Sequence, residues 1–276
     1  MKHAVMIMGY GEEAPIVQQT INMLDDEDID FFIHWDAKYA LPKLYSSKSS
    51  IYFLKNRISV RWGTYSQIQA TIALLRESYH GEYEYYHLIS SNDGPLVNGK
   101  QFKKFFTKEI YLGFDSKVTN KEINRIRYYY PENVDFRKHK LVLHLFTLSN
   151  YLLRINRLKK YKKLNVKKGT NWFSIRKKYV PEILNTNMGT FRHGVCADEI
   201  FMQTIFSRFE NSIQNGGTAR YIDWKKGNPY TFEISDIDWL RQIRKTGKYV
   251  FFRKVSDPNL ILKLFDKKLK SNLERR

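Results

Sequence analysis

Short apolar runs alternate with helical patterns over the first hundred residues, and this alternation restricts the fold more than any other feature. Residues 4–8 (AVMIM) are apolar throughout, as in a buried strand, and residues 14–24 carry apolar residues at helical spacing. A second strand is predicted in FFIHWD, a second helix over residues 65–78, and a third strand in YYHLISSNDGPL, which ends in a polar turn. Alternating strands and helices of these lengths predict an α/β fold, with a central and mostly parallel sheet covered by helices on both faces.

Polar residues and glycines follow three of these predicted strands. They are the glycine turn at residues 9–11, Asp36, and the polar turn at residues 90–94. In open α/β sheets, ligands bind beyond the carboxyl ends of the strands. We therefore expect a binding site where these three segments meet.

The pattern is less regular in the rest of the chain. Three further helices are predicted, over 101–106, about 139–163 and 176–185. Short strands are predicted at 51–54 and 58–60, and further strands in GTNWFSI, ARYIDW and FFRKVSD. Asp198 and Glu199 open a further helical run. Carboxylates in a first helical turn commonly stabilise the helix N-terminus, so the pair has a structural explanation as well as a chemical one.

Positive charge is concentrated in the middle of the chain. Lys and Arg outnumber Asp and Glu by 47 to 28 overall, and by 21 to 5 within residues 101–180. Such a block can bind nucleic acid, anionic lipid or an anionic substrate, or can be a solvated basic face. A hydrophobic content of 42% excludes a disordered chain, and the single cysteine, Cys196, cannot form an internal disulfide.

The basic end of the long predicted helix, RINRLKKYKKLNVKK, is compatible with two placements. Because it mixes Lys and Arg with Leu, Ile and Tyr, it could lie on an anionic membrane surface. The other placement is an ordinary surface helix with one stripe facing the core. No apolar run reaches the roughly 20 residues that span a bilayer.

Several common chemistries lack their motifs. The chain has no GxxxxGK[ST] loop, no complete GxGxxG, no GxSxG and no zinc-ligand spacing. Nucleic-acid-binding motifs are absent too. Asp-x-Asp strings occur at 26–28, 28–30 and 236–238, but two precede a strand and one opens a helix, unlike a metal motif at a strand end. If a diphosphate binds, Arg and Lys must therefore neutralise it.

Eight segments together resemble one known family. HAVMIM, FFIHWDAK, VRWGTYSQIQATIALL, YYHLISSNDGPL, KGTNWFSI, CADEIFMQT, ARYIDWKKGNPYTF and FFRKVSD occur in the order and spacing of the core-2/I-branching β-1,6-N-acetylglucosaminyltransferases, which include the xylosyltransferases. The resemblance extends over residues 3 to about 256. It implies a GT-A type, Rossmann-like fold, a nucleotide-sugar donor, and inverting transfer without a metal or other cofactor.

The resemblance also implies roles for individual residues. Glu199 would be the catalytic base that deprotonates the acceptor hydroxyl, and Arg220 with Lys254 would neutralise the leaving diphosphate. The residues implied near the nucleotide are Tyr10, Asp36, Trp62 and Ser66, and those implied near the donor sugar or acceptor are Asp93, Trp172 and Asp198. One domain over 1–276 is expected, with a nucleotide-binding half at about 1–100, an acceptor half at about 100–256 and a basic tail at 257–276.

Four positions depart from the usual family motifs. Tyr10 stands where the family commonly has His, Trp35 and Ala37 alter the HxDxK motif, and Ser91 replaces a usual Gly. These positions lie near the implied nucleotide and acceptor pockets. The family name favours N-acetylglucosamine as the donor sugar, and xylose or another UDP-sugar stays open.

The implied setting is bacterial. Because the chain begins directly with its first strand, the expectation is a cytoplasmic enzyme of surface-polysaccharide synthesis, acting on a glycan or lipid-linked glycan, with a peripheral position on the inner membrane face as a further hypothesis. No nucleic-acid partner is expected. Two alternatives remain open: a basic binding module for nucleic acid or anionic polysaccharide without catalysis, and a metal-dependent GT-A transferase.

Overall fold

A computed structural model describes residues 1–161, 164–224 and 227–266. The strands it contains are β1 (His3–Gly9), β2 (Ile29–Trp35), β3 (Ile51–Phe53), β4 (Tyr85–Ser90), β5 (Asp93–Pro95), β6 (Ile110–Leu112), β7 (Phe173–Arg176), β8 (Arg220–Ile222) and β9 (Phe251–Arg253). The α-helices are α1 (Ala14–Leu24), α2 (Ser66–Tyr79), α3 (Gly99–Phe105), α4 (Asn120–Arg127), α5 (Lys140–Leu152), α6 (Val180–Asn185), α7 (Phe201–Ile205), α8 (Ile237–Lys245) and α9 (Pro258–Phe265).

Six strands form one large sheet in the order β3-β2-β1-β4-β7-β6. The first four run parallel, whereas β7 is antiparallel to both β4 and β6. The strand order reverses at β1, which pairs with β2 on one side and β4 on the other, so a crevice opens beyond the ends of β1 and β4. This mixed, mostly parallel sheet confirms the predicted α/β, GT-A-like fold class.

The large sheet is buried on both faces, as the uniformly apolar strands predict. Alternate residues of β1 point to opposite sides: Ala4 and Met6 pack with α2, α6 and α7, and Val5 and Ile7 pack with α1 and α3. All four side chains are buried. The two apolar layers therefore fix the register of β1 against its neighbours.

A second, three-stranded sheet has the order β5-β9-β8. β5 is antiparallel to β9, β8 is parallel to it, and a third apolar cluster packs this sheet against α1, α8 and α9. The sequence predicts only a polar turn over residues 90–94, whereas β5 begins at Asp93. The sequence does predict strands in ARYIDW and FFRKVSD, which contain β8 and β9. β5 was missed because a strand of three residues is too short to show a period of two, and the pairing of the three strands into a second sheet was not predicted.

Two other sequence predictions are corrected. Residues 58–60 form no strand, although the Ile58 N–H donates to His34 Nε2 at 2.9 Å. The long helix expected over 139–163 ends at Leu152, since Arg154 has a φ of 53° and only a short 3₁₀ turn follows at Arg157–Lys160. A residue in the left-handed region terminates an α-helix.

Parts of two predictions fall outside the described residues. They concern positions 162–163 of the long helix and most of the basic tail, at 267–276. The beginning of that tail forms α9, capped by the Asp257 side chain, which accepts a hydrogen bond from the Asn259 N–H at 2.8 Å.

Two histidines lie against each other inside the large sheet. His3 Nδ1 and His87 Nε2 are 2.9 Å apart on the neighbouring strands β1 and β4, and both side chains are fully buried. Burial lowers the pKa of His3 to about 3 and holds the pKa of His87 well below its usual value. Both rings therefore stay neutral in the folded protein at neutral pH.

This pair makes stability sensitive to mild acid. A histidine in the unfolded chain has a pKa of about 6.5, so below that pH the unfolded chain binds protons that the folded chain does not. Each histidine therefore lowers the free energy of unfolding by about 1.4 kcal/mol for each unit by which the pH falls. We expect His87→Gln to lose less stability than the wild type between pH 7 and pH 5, as measured by urea unfolding. Exposed His144→Gln is the control, and equal slopes for His87→Gln and the wild type would contradict the prediction.

Candidate active site

The three polar segments indicated by the sequence meet at the carboxyl ends of β1, β2 and β4. The Asp36 N–H donates to the Gly9 carbonyl at 2.8 Å, and the Ser91 N–H donates to the Met8 carbonyl at 3.1 Å. A Cβ on Gly9 would lie 2.3 Å from the Trp35 ring, so only glycine lets β1 end against that side chain. The segments after β2 and β4 are thereby joined to the end of β1.

Asp36 is buried and shapes the turn after β2. Its Oδ1 accepts a hydrogen bond from the Lys38 N–H at 3.0 Å, and its Oδ2 lies 3.3 Å from Lys38 Nζ. Side chains that bond to the backbone two residues on fix such turns. The structure thus places Asp36 at the sheet edge, and its role toward a nucleotide stays a prediction.

A cleft of about 330 Å³ opens between the start of α1, the turn after β4 and the segment after β9. Inside it, Glu13 accepts hydrogen bonds from Ser91 Oγ and Asn92 Nδ2. Burial raises the pKa of Glu13, and hydrogen bonds from Ser91 and Tyr10 oppose that rise. Tyr10, which is 43% exposed, therefore lies beside a carboxylate that the sequence did not single out.

Asp93 and Trp172 both contact one arginine, Arg253. Asp93 Oδ2 accepts from the Ser90 N–H at 2.7 Å, and its Oδ1 lies 3.1 Å from Arg253 Nη1. The Arg253 guanidinium sits 4.5 Å from the centre of the Trp172 ring. All of these side chains are buried, so cation, carboxylate and indole form one packed stack in the crevice.

Lys254 follows this stack and lines the cleft. Burial, followed by the positive charges of Arg253 and Arg137, lowers the pKa of Lys254. Arg137 comes from the loop before α5, and its guanidinium lies 5.0 Å from the centre of the partly exposed Trp62 ring. Lys254 therefore feels the positive charges of Arg253 and Arg137, while the carboxylates of Glu13 and Asp93 oppose their effect on its pKa.

Arg220, which the resemblance pairs with Lys254, lies beneath the crevice. It is 2% exposed and donates to the backbone carbonyls of Leu88, Phe173 and Thr218 at 2.7–3.1 Å. Burial lowers the pKa of this guanidinium to about 9. Its Nη1 and Nη2 donors are used by backbone carbonyls, whereas its buried Nε has no hydrogen-bond partner in the described part of the chain. The structure therefore does not bring Arg220 and Lys254 together as a surface pair, and the contact of Arg220 with a diphosphate stays a prediction.

Glu199 ends a short 3₁₀ turn, Ala197–Glu199, just before α7. Its Oε2 lies 2.7 Å from Arg125 Nη1 and 4.0 Å from Lys168 Nζ. The Glu199 carboxylate raises the pKa of Arg125 although burial alone would lower it. With 37% of its side chain exposed, Glu199 is a carboxylate that is both fixed in place and open to a substrate.

Asp198 points the other way from its neighbour and is buried. Its Oδ2 accepts from Gln67 Nε2 at 3.0 Å and from Asn171 Nδ2 at 3.3 Å. Burial, helped by the nearby Glu199 charge, raises the pKa of Asp198 to about 7. Asp198 therefore anchors the turn that presents Glu199.

The loop before α2 contacts the same turn. The Cys196 N–H donates to the Gly63 carbonyl at 2.8 Å, and a Cβ on Gly63 would lie 3.4 Å from Cys196 Sγ. The hydroxyl of Ser66, the first residue of α2, is hydrogen-bonded to this loop: its Oγ accepts from the Arg61 N–H at 2.8 Å and lies 2.7 Å from Thr64 Oγ1. The loop thus positions Trp62 beside the crevice, whereas the Ser66 hydroxyl supports the loop itself.

The family model of the Core-2/I-Branching enzymes matches residues 4–244. The chain belongs to this family. A comparison with curated proteins finds no match. Members of the Core-2/I-Branching enzyme family are glycosyltransferases, so the chain takes a sugar donor and a glycan acceptor. The matched range includes Glu199 and Arg220 and ends before Arg253 and Lys254.

Sequence reasoning missed several residues of this Core-2/I-Branching site. They are Glu13, Gln67, Arg125, Arg137, Lys168 and Arg253. Three of them had a signal, because Gln67 lies within VRWGTYSQIQATIALL, Lys168 begins KGTNWFSI and Arg253 lies within FFRKVSD. Arg125 had none, since it pairs with a carboxylate 74 positions away.

Two features are absent from the described ranges, 1–161, 164–224 and 227–266. No group of three or more His, Cys, Asp or Glu side chains in these ranges could hold a metal ion. No helix within them is long and apolar enough to cross a membrane.

The raised pKa of Asp198 gives a prediction. Between about pH 4 and pH 7 the Asp198 carboxyl is ionised in the unfolded chain but still protonated in the folded chain. The free energy of unfolding of the wild type therefore falls as pH rises, by up to about 1.4 kcal/mol per pH unit. Because an asparagine side chain cannot ionise, Asp198→Asn should gain stability relative to the wild type over this window. Thermal unfolding as a function of pH measures the difference. Asp115→Asn, at a partly exposed carboxylate, should follow the wild type, and parallel curves for Asp198→Asn would contradict the assignment.

Proposed function

We propose that this chain is an inverting glycosyltransferase that uses Glu199 as its catalytic base and needs no metal. The donor in this proposal is a UDP-sugar, with N-acetylglucosamine favoured over xylose. The acceptor is a hydroxyl of a glycan, free or lipid-linked, in bacterial surface-polysaccharide synthesis. The observation that carries the proposal is the Glu199 carboxylate, open to substrate and held 2.7 Å from Arg125 in the family's CADE segment.

The proposed reaction is a single displacement. Glu199 takes the proton of the acceptor hydroxyl while the oxygen attacks the anomeric carbon of the donor. The bond from that carbon to the diphosphate oxygen breaks on the opposite face, and its electron pair leaves with UDP. An α-linked donor thus gives a β-linked product. Arg125 supports this role by holding the Glu199 carboxylate in place through a hydrogen bond of 2.7 Å.

Side-chain cations would stabilise the leaving diphosphate. Lys254, Arg253 and Arg137 converge at the crevice, and charge developing on a leaving phosphate needs fixed positive charge. Arg253 is already partnered by Asp93, so Lys254 and Arg137 are the cations most available to a ligand.

Residues 171 and 172 connect the base to these cations. Asn171 donates to Asp198, the neighbour of Glu199, while Trp172 packs against Arg253, the neighbour of Lys254. One short segment therefore contacts both sides of the proposed reaction. An in-line displacement requires the base and the cations that bind the leaving group to lie on opposite sides of the reacting carbon, as they would across this crevice.

Replacing the base tests the proposal directly. Glu199→Gln keeps the shape of the side chain but cannot accept a proton, so sugar transfer should fall by about a hundred- to ten-thousandfold. Binding of the UDP-sugar, followed by thermal stabilisation, should remain. Activity would be measured with UDP-N-acetylglucosamine and UDP-xylose, with and without EDTA.

Glu182→Gln is the matched control. Glu182 has a similarly exposed side chain, 38% against 37%, and also pairs with an arginine, Arg208. It should leave activity unchanged. Equal activity of Glu199→Gln and the wild type would refute the base assignment, and loss of activity in EDTA would refute metal independence.

Lys254 gives a second test, on donor binding. A hydrogen bond to a charged group contributes about 1.5–3 kcal/mol, so Lys254→Gln should weaken binding of UDP or a UDP-sugar by about tenfold or more. Calorimetric titration with UDP measures this change. Lys248→Gln removes an exposed lysine elsewhere and should bind UDP as the wild type does. Unchanged affinity in Lys254→Gln would show that the diphosphate lies elsewhere.

A further inference from the structure

Helix α5 has apolar side chains on both of its faces. On the inner face, Leu143 and Phe146 pack onto a small cluster that contains Tyr130 and Val195. Asn150 on the same face is buried, donates to the Tyr129 carbonyl at 2.8 Å and accepts from the Tyr129 N–H at 2.8 Å. The inner face of α5 is therefore packed against the rest of the protein.

The outer face of α5 carries leucines with no partner in the described part of the chain. Leu141, Leu145, Leu148 and Leu152 follow the i, i+4, i+7, i+11 spacing of one helical stripe. Together with Tyr151 and Leu153 they are between 55% and 73% exposed. Soluble surfaces seldom place so many large apolar side chains side by side, and such a patch marks an interaction surface. We call these six residues the outer stripe.

Positive charges flank the outer stripe at both ends. The exposed lysines and arginine are Lys138, Lys140, Arg154, Lys159 and Lys160. None of them pairs with a carboxylate among residues 1–161, 164–224 and 227–266. An apolar stripe bordered by free cations has the composition of a helix that lies in the interface of an anionic bilayer.

We propose that the outer stripe of α5 docks this protein on an anionic lipid surface. The leucines would enter the acyl boundary while the flanking cations meet the lipid head groups. The charge argues against a second copy as the occupant, because a symmetric contact would bring two strongly basic middle segments together. This placement differs from the one expected from sequence, since the apolar contact comes from α5 and not from the basic stretch after it.

The test uses the full chain with two kinds of vesicle, phosphatidylcholine alone and phosphatidylcholine mixed with phosphatidylglycerol. Flotation should show binding to the anionic vesicles only, weakened at high salt. Leu145→Ser/Leu148→Ser should reduce this binding by about tenfold or more while the melting temperature stays unchanged, because both side chains are exposed. Lys140→Gln/Arg154→Gln should reduce it by about fivefold per cation removed.

Matched controls use residues of the same types elsewhere. Ile213→Ser/Leu262→Ser removes two exposed apolar side chains, and Lys245→Gln/Lys248→Gln removes two exposed cations, and neither pair should change vesicle binding. Absence of binding to anionic vesicles at low salt would overturn the proposal. So would binding that survives Leu145→Ser/Leu148→Ser, or light scattering that shows a dimer which this double substitution dissociates. The vesicle assay measures lipid association and not sugar transfer, so its failure would leave the proposed reaction untouched.

Discussion

The buried guanidinium of Arg220 holds together the two sheets between which the site lies. Removing a charge from water costs free energy that hydrogen bonds to the charged group must offset, and the two Nη atoms of Arg220 supply such bonds. Arg220 begins β8 in the small sheet, and its donors reach the carbonyls of Leu88 in β4 and Phe173 in β7 of the large sheet. The neighbouring Ala219 has a φ of 48°. The position of Arg253, at the end of β9, and of Lys254 after it relative to the crevice depends on that connection.

The crevice has two sides that are built differently. On one side Glu199 is held by Arg125 from α4 and by Asp198, which Gln67 of α2 anchors. On the other side, cations follow the middle strand of the small sheet. Loops and helix ends carry the charged groups, and the sheets beneath them supply rigidity, which is the usual division in α/β enzymes. A catalytic group can then be exposed without being loosely placed.

The sequence predicts the first half of this fold well and the second half poorly, for a physical reason. β1, α1, β2, α2 and β4 follow one another closely, and each buries a long apolar run, so periodicity alone finds them. β8 and β9 lie in segments that were predicted as strands, but they and β5 have only three residues each and pair with partners far along the chain. Local patterns contain no information about such partners.

The same distinction applies to the site. A motif that is local in sequence identifies Glu199. No such motif contains Arg125, which pairs with a residue 74 positions away. Gln67 lies in a family segment, but the sequence does not show its contact with Asp198, 131 positions away. Resemblance to a family could mark Arg220 but could not show that its donors are used by carbonyls, since this follows only from where β4, β7 and β8 meet. The sequence did not predict where α5 ends either, because the end depends on the left-handed backbone conformation of Arg154.

The attachment of α5 through Asn150 has a consequence for how the enzyme meets its acceptor. Asn150 fastens the helix to the backbone at Tyr129, and the inner face of α5 packs on Val195, four residues before Glu199. The same packed cluster therefore joins α5 to the segment that leads to Glu199, the proposed base. An enzyme anchored through such a helix would keep its crevice at a constant height and tilt above the lipid, and it would find lipid-linked acceptors by a search in two dimensions instead of three.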